Sequence, residues 1–250
     1  MLTGWLARAV DRLALSILIR PTLDGKSRAF STVRSRFDAP NARLFVHREP
    51  SRRAIILVHD YLGGHHAIEE RAWPFRRWFA AGYDIALFTL PYHHVRGRNP
   101  PLCLTHDGLR RATQGLLALV QHLHARGNTR VAAMGMSLGG YLVAQLATIE
   151  ASLDLVVPIV PLSHLRDLAG PAYHRALDEQ GPLQRTPLVG GERMLVIGAK
   201  HDQIAPIEHA RALASHFSAP LHTMRGGHLL QLGRADAFAK VDALLAQRMA

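Results

Sequence analysis

Residues 130–145, RVAAMGMSLGGYLVAQ, form the stretch that decides the fold predicted for this chain. The stretch begins as an apolar run long enough for a buried strand and ends with the residue spacing of a helix. Between the two lies the sequence Gly135-Met136-Ser137-Leu138-Gly139-Gly140. A serine in such a tight turn is held in a strained conformation, and side chains two positions away on either side would collide. The glycines at 135 and 139 therefore predict a G-x-S-x-G turn that presents the Ser137 hydroxyl at the end of a strand.

Further apolar runs of strand length alternate with helical patterns along the rest of the chain. Residues 54–59, AIILVH, form a continuous apolar run, which is typical of a strand covered on both faces of a parallel sheet. Similar runs occupy residues 83–90, 153–160, 194–198 and 220–225, and two edge strands are predicted at residues 30–37 and 43–47. The pattern predicts the α/β class, with a mostly parallel, doubly wound sheet, helices on both faces and ligands at the carboxyl ends of the strands.

Local signals set the ends of several predicted helices. Residues 67–81 have helical spacing, but Pro74 interrupts them and predicts a kink or two short helices. Thr105 has the side chain of an N-cap, and Asp107 follows in the first turn of a helix that continues to His124. Residues 161–193 must contain a crossover helix, so we expect a small or absent lid.

The chain divides into an N-terminal segment and one larger domain. Residues 1–25 contain an amphipathic helix, predicted at 2–20, and residues 26–250 form a single α/β domain. The helix either packs on its own domain or a second subunit, as in a homodimer, or contacts a membrane surface. No apolar run reaches the length of a membrane span, and the first residues lack a signal-peptide pattern, so we expect a cytoplasmic protein.

Composition argues against several functions. The net charge is +11, but the basic residues are spread along the whole chain without a dense tail or an aromatic-interleaved stripe, so we expect no nucleic-acid partner. Cys103 is the only cysteine and cannot form an internal disulfide. The histidine pairs lack carboxylate or cysteine partners at ligand spacing, so we expect no metal, and no pattern indicates a cofactor.

Three residue types suited to nucleophilic catalysis follow three predicted strands. Ser137 follows one strand, Asp202 follows the next but one, and His228 follows the last. With the motifs GMSLGG, AKHDQIAP and GGH in this order, the sequence resembles the α/β-hydrolase superfamily from about residue 30 to the end, and is esterase- or lipase-like. The resemblance implies a serine hydrolase without a cofactor.

The chemistry requires each of these side chains. A serine hydroxyl becomes a nucleophile when a base takes its proton, and neutral His228 can do this near neutral pH. Asp202 holds the imidazole in the required tautomer and stabilises its positive charge. Asp167 is an alternative acid. The resemblance implies that the oxyanion hole consists of the backbone N–H groups of Leu138 and Tyr61.

One position departs from the superfamily pattern, because its usual His-Gly is here His59-Asp60. Asp accepts positive φ less readily than Gly, so we expect a differently shaped loop around Tyr61. The resemblance implies that His59 supports this loop by hydrogen bonding. His93 and His94 lie on a loop at the predicted active edge, where they either line the substrate pocket or remain solvated.

The sequence therefore predicts hydrolysis of carboxylic esters with short-chain or exposed acyl groups through an acyl-enzyme on Ser137. A small-molecule acyl compound is the expected partner. The alternatives within the same fold are a thioesterase, an amidase or a peptidase. A different class of function also stays open, in which the basic N-terminal helix attaches a non-catalytic protein to a membrane.

Overall fold

The computed structural model describes residues 42–49, 51–93, 100–169 and 177–250. Their eight strands belong to one sheet. The strands are β1 (Ala42–Phe45), β2 (Arg53–Val58), β3 (Asp84–Phe88), β4 (Arg130–Met136), β5 (Leu155–Ile159), β6 (Val196–Ala199), β7 (Leu221–Gly226) and β8 (Gln231–Leu232). They are arranged in the order β1-β3-β2-β4-β5-β6-β7-β8.

The sheet is parallel except at its two outermost strands. Strands β2 to β7 pair in parallel with their neighbours, while β1 pairs antiparallel with β3 and β8 pairs antiparallel with β7. The predicted, mostly parallel sheet is confirmed. Because β4 pairs with both β2 and β5, the residue that follows β4 lies near the centre of the carboxyl edge.

Helices cover both faces of the sheet. They are α1 (His66–Ala72), α2 (Phe75–Ala80), α3 (His106–Ala125), α4 (Leu138–Leu146), α5 (Arg166–Ala169), α6 (Ile207–His216) and α7 (Arg234–Arg248). Side chains of α3, α4 and α6 belong to the hydrophobic core on one face, and those of α2 and α7 belong to the core on the other.

Successive residues of a central strand enter opposite cores. Ile56 and Val58 of β2 pack into the core with α3 and α4, while Ile55 and Leu57 pack into the core with α2 and α7. Burial of such a side chain stabilises the fold by roughly 1.5–3 kcal/mol. This requirement on both faces explains why the central strands appear in the sequence as continuous apolar runs.

Two local predictions about the helices are confirmed. The chain forms two short helices around Pro74, since α1 ends at Ala72 and α2 begins at Phe75. Thr105 is the N-cap of α3, and its hydroxyl oxygen accepts a hydrogen bond from the N–H of Gly108 at 3.1 Å.

Other predictions concern residues outside the described ranges or differ from the structure. The helix predicted at 2–20 and the strand predicted at 30–37 lie outside the described residues. The strand predicted at 153–160 is shorter, Leu155–Ile159, and the two-residue strand β8 was not predicted. Among the described helices, none combines the length and hydropathy needed to cross a bilayer.

Candidate active site

Ser137 lies in a strained turn between β4 and α4. Its φ of 53° and ψ of −114° belong to a backbone region that L-residues rarely adopt, at a cost of about 1–3 kcal/mol. Its N–H donates to the carbonyl of Ile159 at 2.9 Å, and its carbonyl accepts from the N–H of Tyr141 at 3.0 Å. These backbone bonds hold the serine at the carboxyl end of β4.

The flanking glycines are required by close backbone contacts. A Cβ on Gly135 would lie 2.1 Å from the carbonyl oxygen of Gly139. A Cβ on Gly139 would lie 2.4 Å from the carbonyl oxygen of Val58, at the end of β2. Both distances are far below van der Waals contact, so a larger residue at either position would displace the turn or the neighbouring strand.

His228 and Asp202 form a direct side-chain pair. Asp202 follows β6, His228 follows β7, and Nδ1 of His228 lies 2.7 Å from Oδ2 of Asp202. The other carboxylate oxygen accepts the N–H groups of Ile204 at 2.8 Å and Ala205 at 2.7 Å. These bonds orient the carboxylate, which accepts the Nδ1 proton of His228 and leaves Nε2 as the basic nitrogen.

The three predicted catalytic residues follow β4, β6 and β7, and the carboxyl ends of parallel strands meet at one edge of a sheet. Their side chains are largely buried, with relative exposures of 3% for Ser137, 4% for Asp202 and 7% for His228. The His228–Asp202 contact is observed directly. The hydrogen bonds that Ser137 makes with described residues involve its backbone.

Three amides of the loop after β2 donate to carboxylate oxygens. Oδ1 of Asp60 accepts the N–H groups of Leu62 at 2.8 Å and Gly63 at 2.7 Å, and a carboxylate oxygen of Glu69 accepts the N–H of Gly64 at 3.1 Å. No hydrogen bond within the described part of the chain engages the N–H of Tyr61. That amide is therefore one that a ligand oxygen can use.

The second predicted oxyanion donor is the N–H of Leu138, the first residue of α4. The first amides of a helix have no intrahelical acceptor, and they carry the positive end of the helix dipole. This helix begins directly after Ser137, at the carboxyl end of β4. The oxyanion role of the Leu138 N–H stays a prediction.

The loop differs from the sequence-based expectation in how it turns. Asp60 is not among the described residues with positive φ, whereas Gly64 has φ of 98°. The Asp60 side chain instead closes a turn by accepting the amides of Leu62 and Gly63. Asp60 thus shapes the loop through its carboxylate, and the unusual backbone conformation occurs at a glycine.

His59 supports the loop as predicted. Its Nε2 accepts the N–H of Leu90 at 2.9 Å, so Nδ1 carries the proton and donates to the carbonyl of Asp60 at 2.6 Å. That carbonyl shares a peptide group with the N–H of Tyr61. In a trans peptide the two point in opposite directions, so His59 also fixes the direction of the Tyr61 N–H.

The two histidines predicted to line the substrate pocket have different outcomes. The His93 side chain is completely buried, and its ring nitrogens contact the carbonyl oxygens of Pro91 and Tyr61. This geometry disagrees with direct substrate contact, because the turn after β3 directs the ring into the protein. His94 lies outside the described residues, as does the side chain of the alternative acid Asp167.

Glu69 is a buried carboxyl group that the sequence did not single out. Burial, and secondarily the charge of Asp60, raise the pKa of Glu69 to about 7. Trp73 lies one helical turn later and directs its indole N–H at the second carboxylate oxygen, at 3.4 Å. In the sequence, the four-residue spacing of Glu69 and Trp73 on a predicted helix was the pattern that could have indicated this contact.

A second serine contacts a histidine, but in a different setting. The N–H of Ser163 donates to Nδ1 of His209 at 3.0 Å, and its hydroxyl lies 2.9 Å from the same nitrogen. Both side chains are at most 5% exposed, and φ of Ser163 is not in the positive region.

Among the described residues, no group of three or more His, Cys, Asp or Glu side chains is placed to hold a metal ion.

Comparisons with known proteins identify the architecture. No protein-family model and no curated protein sequence matches the chain. Solved structures do. The esterase Pf2001 of Pyrococcus furiosus is 12% identical with a TM-score of 0.65, covering 89% of this chain and 93% of its own.

Two further structures are similar over nearly the whole chain. TT1662 of Thermus thermophilus is 16% identical with a TM-score of 0.69, covering 86% of this chain and 99% of its own. Est1E of Butyrivibrio proteoclasticus, solved with ferulic acid, is 15% identical with a TM-score of 0.66, covering 87% and 99%. With its central parallel strands and the serine turn after β4, the chain has the α/β-hydrolase fold.

Proposed function

We propose that this protein is a serine hydrolase that cleaves carboxylic esters through an acyl-enzyme on Ser137. The observation that carries the proposal is a strained serine on the same sheet edge as an oriented His228–Asp202 pair. Strain of this kind persists only where the surrounding structure holds it, and it concentrates at functional sites.

The first half of the reaction acylates the serine. The Ser137 oxygen attacks the ester carbonyl carbon while Nε2 of His228 takes the hydroxyl proton. Asp202 stabilises the resulting imidazolium through the bond to Nδ1, which is 2.7 Å long. The tetrahedral intermediate then expels the alcohol, which receives its proton from His228, and the acyl group stays on Ser137.

The second half returns the enzyme to its starting state. A water molecule attacks the acyl carbonyl as His228 takes one of its protons, and the carboxylic acid leaves as His228 returns that proton to the Ser137 oxygen. In both halves the negative oxygen accepts hydrogen bonds from the amides of Leu138 and Tyr61. Loss of one such donor typically lowers kcat by about 10²–10³.

Apolar side chains beside the catalytic loops favour an ester with an apolar part. Leu62 follows Tyr61 in the oxyanion loop, Ile204 follows Asp202 by two positions, and Leu230 follows His228 by two. Their exposed fractions are 54%, 38% and 44%, which is high for large apolar residues. Two of the similar structures carry names or ligands consistent with esters, namely an esterase and Est1E with ferulic acid.

Ser137→Ala tests the proposal with the full chain. Wild type should be labelled by a fluorophosphonate probe on the peptide that contains Ser137, and should hydrolyse p-nitrophenyl esters. The variant should lose labelling and about 10⁶-fold in kcat, because no nucleophile is left. Matched thioester and amide substrates separate the ester preference from the alternatives of the same fold.

Ser163→Ala is the matched control, because Ser163 also contacts a histidine. It should keep both labelling and turnover. A wild type that is neither labelled nor active on any ester in the panel would contradict the proposal, as would a Ser137→Ala variant that is labelled as fast as wild type.

A further inference from the structure

The turn after β3 directs His93 into the protein. Tyr92 has φ of 65°, which is uncommon for a residue with a large side chain, and the N–H of His93 donates to the carbonyl of Leu90 at 3.1 Å. The His93 side chain that results is completely buried. The chain therefore accepts backbone strain at Tyr92 in order to place an imidazole beneath the loop after β2.

Both nitrogens of the buried ring contact acceptors. Nδ1 lies 2.9 Å from the carbonyl oxygen of Pro91, and Nε2 lies 2.8 Å from the carbonyl oxygen of Tyr61. A carbonyl oxygen only accepts, and a neutral imidazole carries one N–H. Two donated bonds therefore require the doubly protonated ring, and the neutral ring keeps only one of them.

His59 lies beside His93 but is held in the other protonation form. The ring centroids are 5.0 Å apart, at an interplanar angle of 57°. His59 receives the N–H of Leu90, which requires a neutral ring. Together the two histidines join the loop after β2 to the loop after β3, and only His93 requires a positive charge for its bonds.

We propose that His93 is a positioning residue for the oxyanion loop, and that loss of one of its ring protons releases one of the two carbonyls it holds. This role rests on the proposed function. His59 fixes the peptide before Tyr61 through the Asp60 carbonyl, and His93 fixes the peptide after it through the Tyr61 carbonyl. Tyr61 is thereby held on both sides, and its N–H points away from the Asp60 carbonyl that His59 binds.

Other titratable groups near His93 in the described chain are His59, Asp60, Tyr61, Glu69 and Cys103. Burial raises the pKa of Tyr61 and raises that of Cys103 to about 12, so both stay neutral near neutral pH. Glu69, which binds the N–H of Gly64, is the neighbour whose pKa of about 7 lies in the same range as a histidine. Profiles measured in a Glu69→Gln background separate the two groups.

His93→Gln is the kinetic test, because glutamine keeps one donor and cannot titrate. Wild-type kcat should fall at alkaline pH as His93 loses a proton. The variant should have a kcat about tenfold lower, less than the loss of a whole oxyanion donor, with little change in KM. Its alkaline decrease should be absent.

His47→Gln is the matched control, since His47 also contacts two acceptors, Asp84 and the carbonyl of Phe79, and lies outside the site. Its profile should keep the alkaline decrease. A His93→Gln variant with wild-type kcat and an unchanged alkaline limb would overturn the positioning role.

Nuclear magnetic resonance on the full chain, labelled with ¹⁵N-histidine, decides the protonation without any turnover. At about pH 6 both ring nitrogens of His93 should carry protons, and deprotonation should shift the amide signal of Tyr61. Signals missing from His93→Gln provide the assignment. A neutral His93 ring at that pH would overturn the inference, whereas an inactive wild type with a charged His93 would reject only the proposed function.

Discussion

The carboxyl and amino edges of the sheet each contain a histidine bound to an aspartate, and the two pairs differ in the contacts of the second ring nitrogen. At the carboxyl edge, Nδ1 of His228 lies 2.7 Å from Asp202. At the amino edge, Nδ1 of His47 lies 3.0 Å from Asp84, the first residue of β3. Both aspartates are buried, and both also accept backbone amides.

The difference lies in the second ring nitrogen. Nε2 of His47 contacts the carbonyl of Phe79 at 3.0 Å, and the ring stacks on Phe79 with centroids 4.0 Å apart. Nε2 of His228 has no hydrogen-bond partner among the residues that the structure describes. At the amino edge, the His47–Asp84 pair therefore connects the residues after β1 to the start of β3. At the carboxyl edge, the His228–Asp202 pair leaves Nε2 of His228 without a partner among the described residues.

Among changes to these two His–Asp pairs and to Glu69, the largest effect should come from Asp202→Asn. The amide group would donate toward Nδ1 of His228, which then becomes an acceptor and moves the proton to Nε2, the wrong nitrogen for a base. We expect kcat on p-nitrophenyl esters to fall about 10⁴-fold with the fold intact. Kinetics and a thermal melt measure the two quantities. A variant with more than a tenth of wild-type kcat would remove Asp202 from the mechanism.

Glu69→Gln sharpens the comparison, because burial is the largest influence on the Glu69 carboxyl group, whereas the Asp84 carboxylate contacts the His47 ring. Its pKa rises from 4.5 to about 7 on folding, so the folded state holds a proton that the unfolded chain has released. The stability from this group is present below about pH 4.5 and is lost as pH rises through about 7. We expect the loss to be about 3 kcal/mol.

Urea denaturation at several pH values measures this effect. The free energy of unfolding of wild type, minus that of Glu69→Gln, should decrease by about 3 kcal/mol between about pH 4.5 and 8. Asp84→Asn in the same series is the control for a carboxyl group of the other edge. A difference between wild type and Glu69→Gln that does not vary with pH would show that folding leaves the pKa of Glu69 unchanged.

The smallest effect should come from Asp84→Asn. The Asp84 carboxylate accepts hydrogen bonds from Nδ1 of the His47 ring, from the backbone N–H of His47 and from the side-chain amide of Asn128. Loss of its charge should lower the free energy of unfolding by about 2 kcal/mol, measured by urea denaturation. Because the pair lies at the edge opposite the site, kcat should stay within about twofold, which is the error expected for independent sites. A loss of kcat as large as that of Asp202→Asn would mean that the two edges are coupled.

Several features could be predicted from the sequence because their causes are local. The turn at Ser137 depends on glycines within three residues, and the N-cap at Thr105 depends on an amide three residues later. The parallel sheet was predictable because strands buried on both faces must be apolar throughout. The order of Ser137, Asp202 and His228 after three such strands pointed to one edge of the sheet.

The histidine partners were much harder to predict. His93 follows β3 at the active edge, so the sequence suggested substrate contact. The positive φ at Tyr92 instead directs the imidazole ring of His93 into the protein. His47 and Asp84 are 37 positions apart and meet because β1 pairs with β3. No local sequence pattern indicates which strand pairs with β1. Glu69 is buried because the loop after β2 folds over α1.

The sequence by itself determined which segments become buried strands, where the serine turn forms, and which acid and base follow the last parallel strands. These features depend on hydrophobic periodicity and on the conformational freedom of glycine, which act over a few residues. Only the tertiary structure decided which ring nitrogens are occupied and which amides of the oxyanion loop are left for a ligand. A hydrogen bond depends on distances below about 3.2 Å between groups that the chain brings together from distant positions.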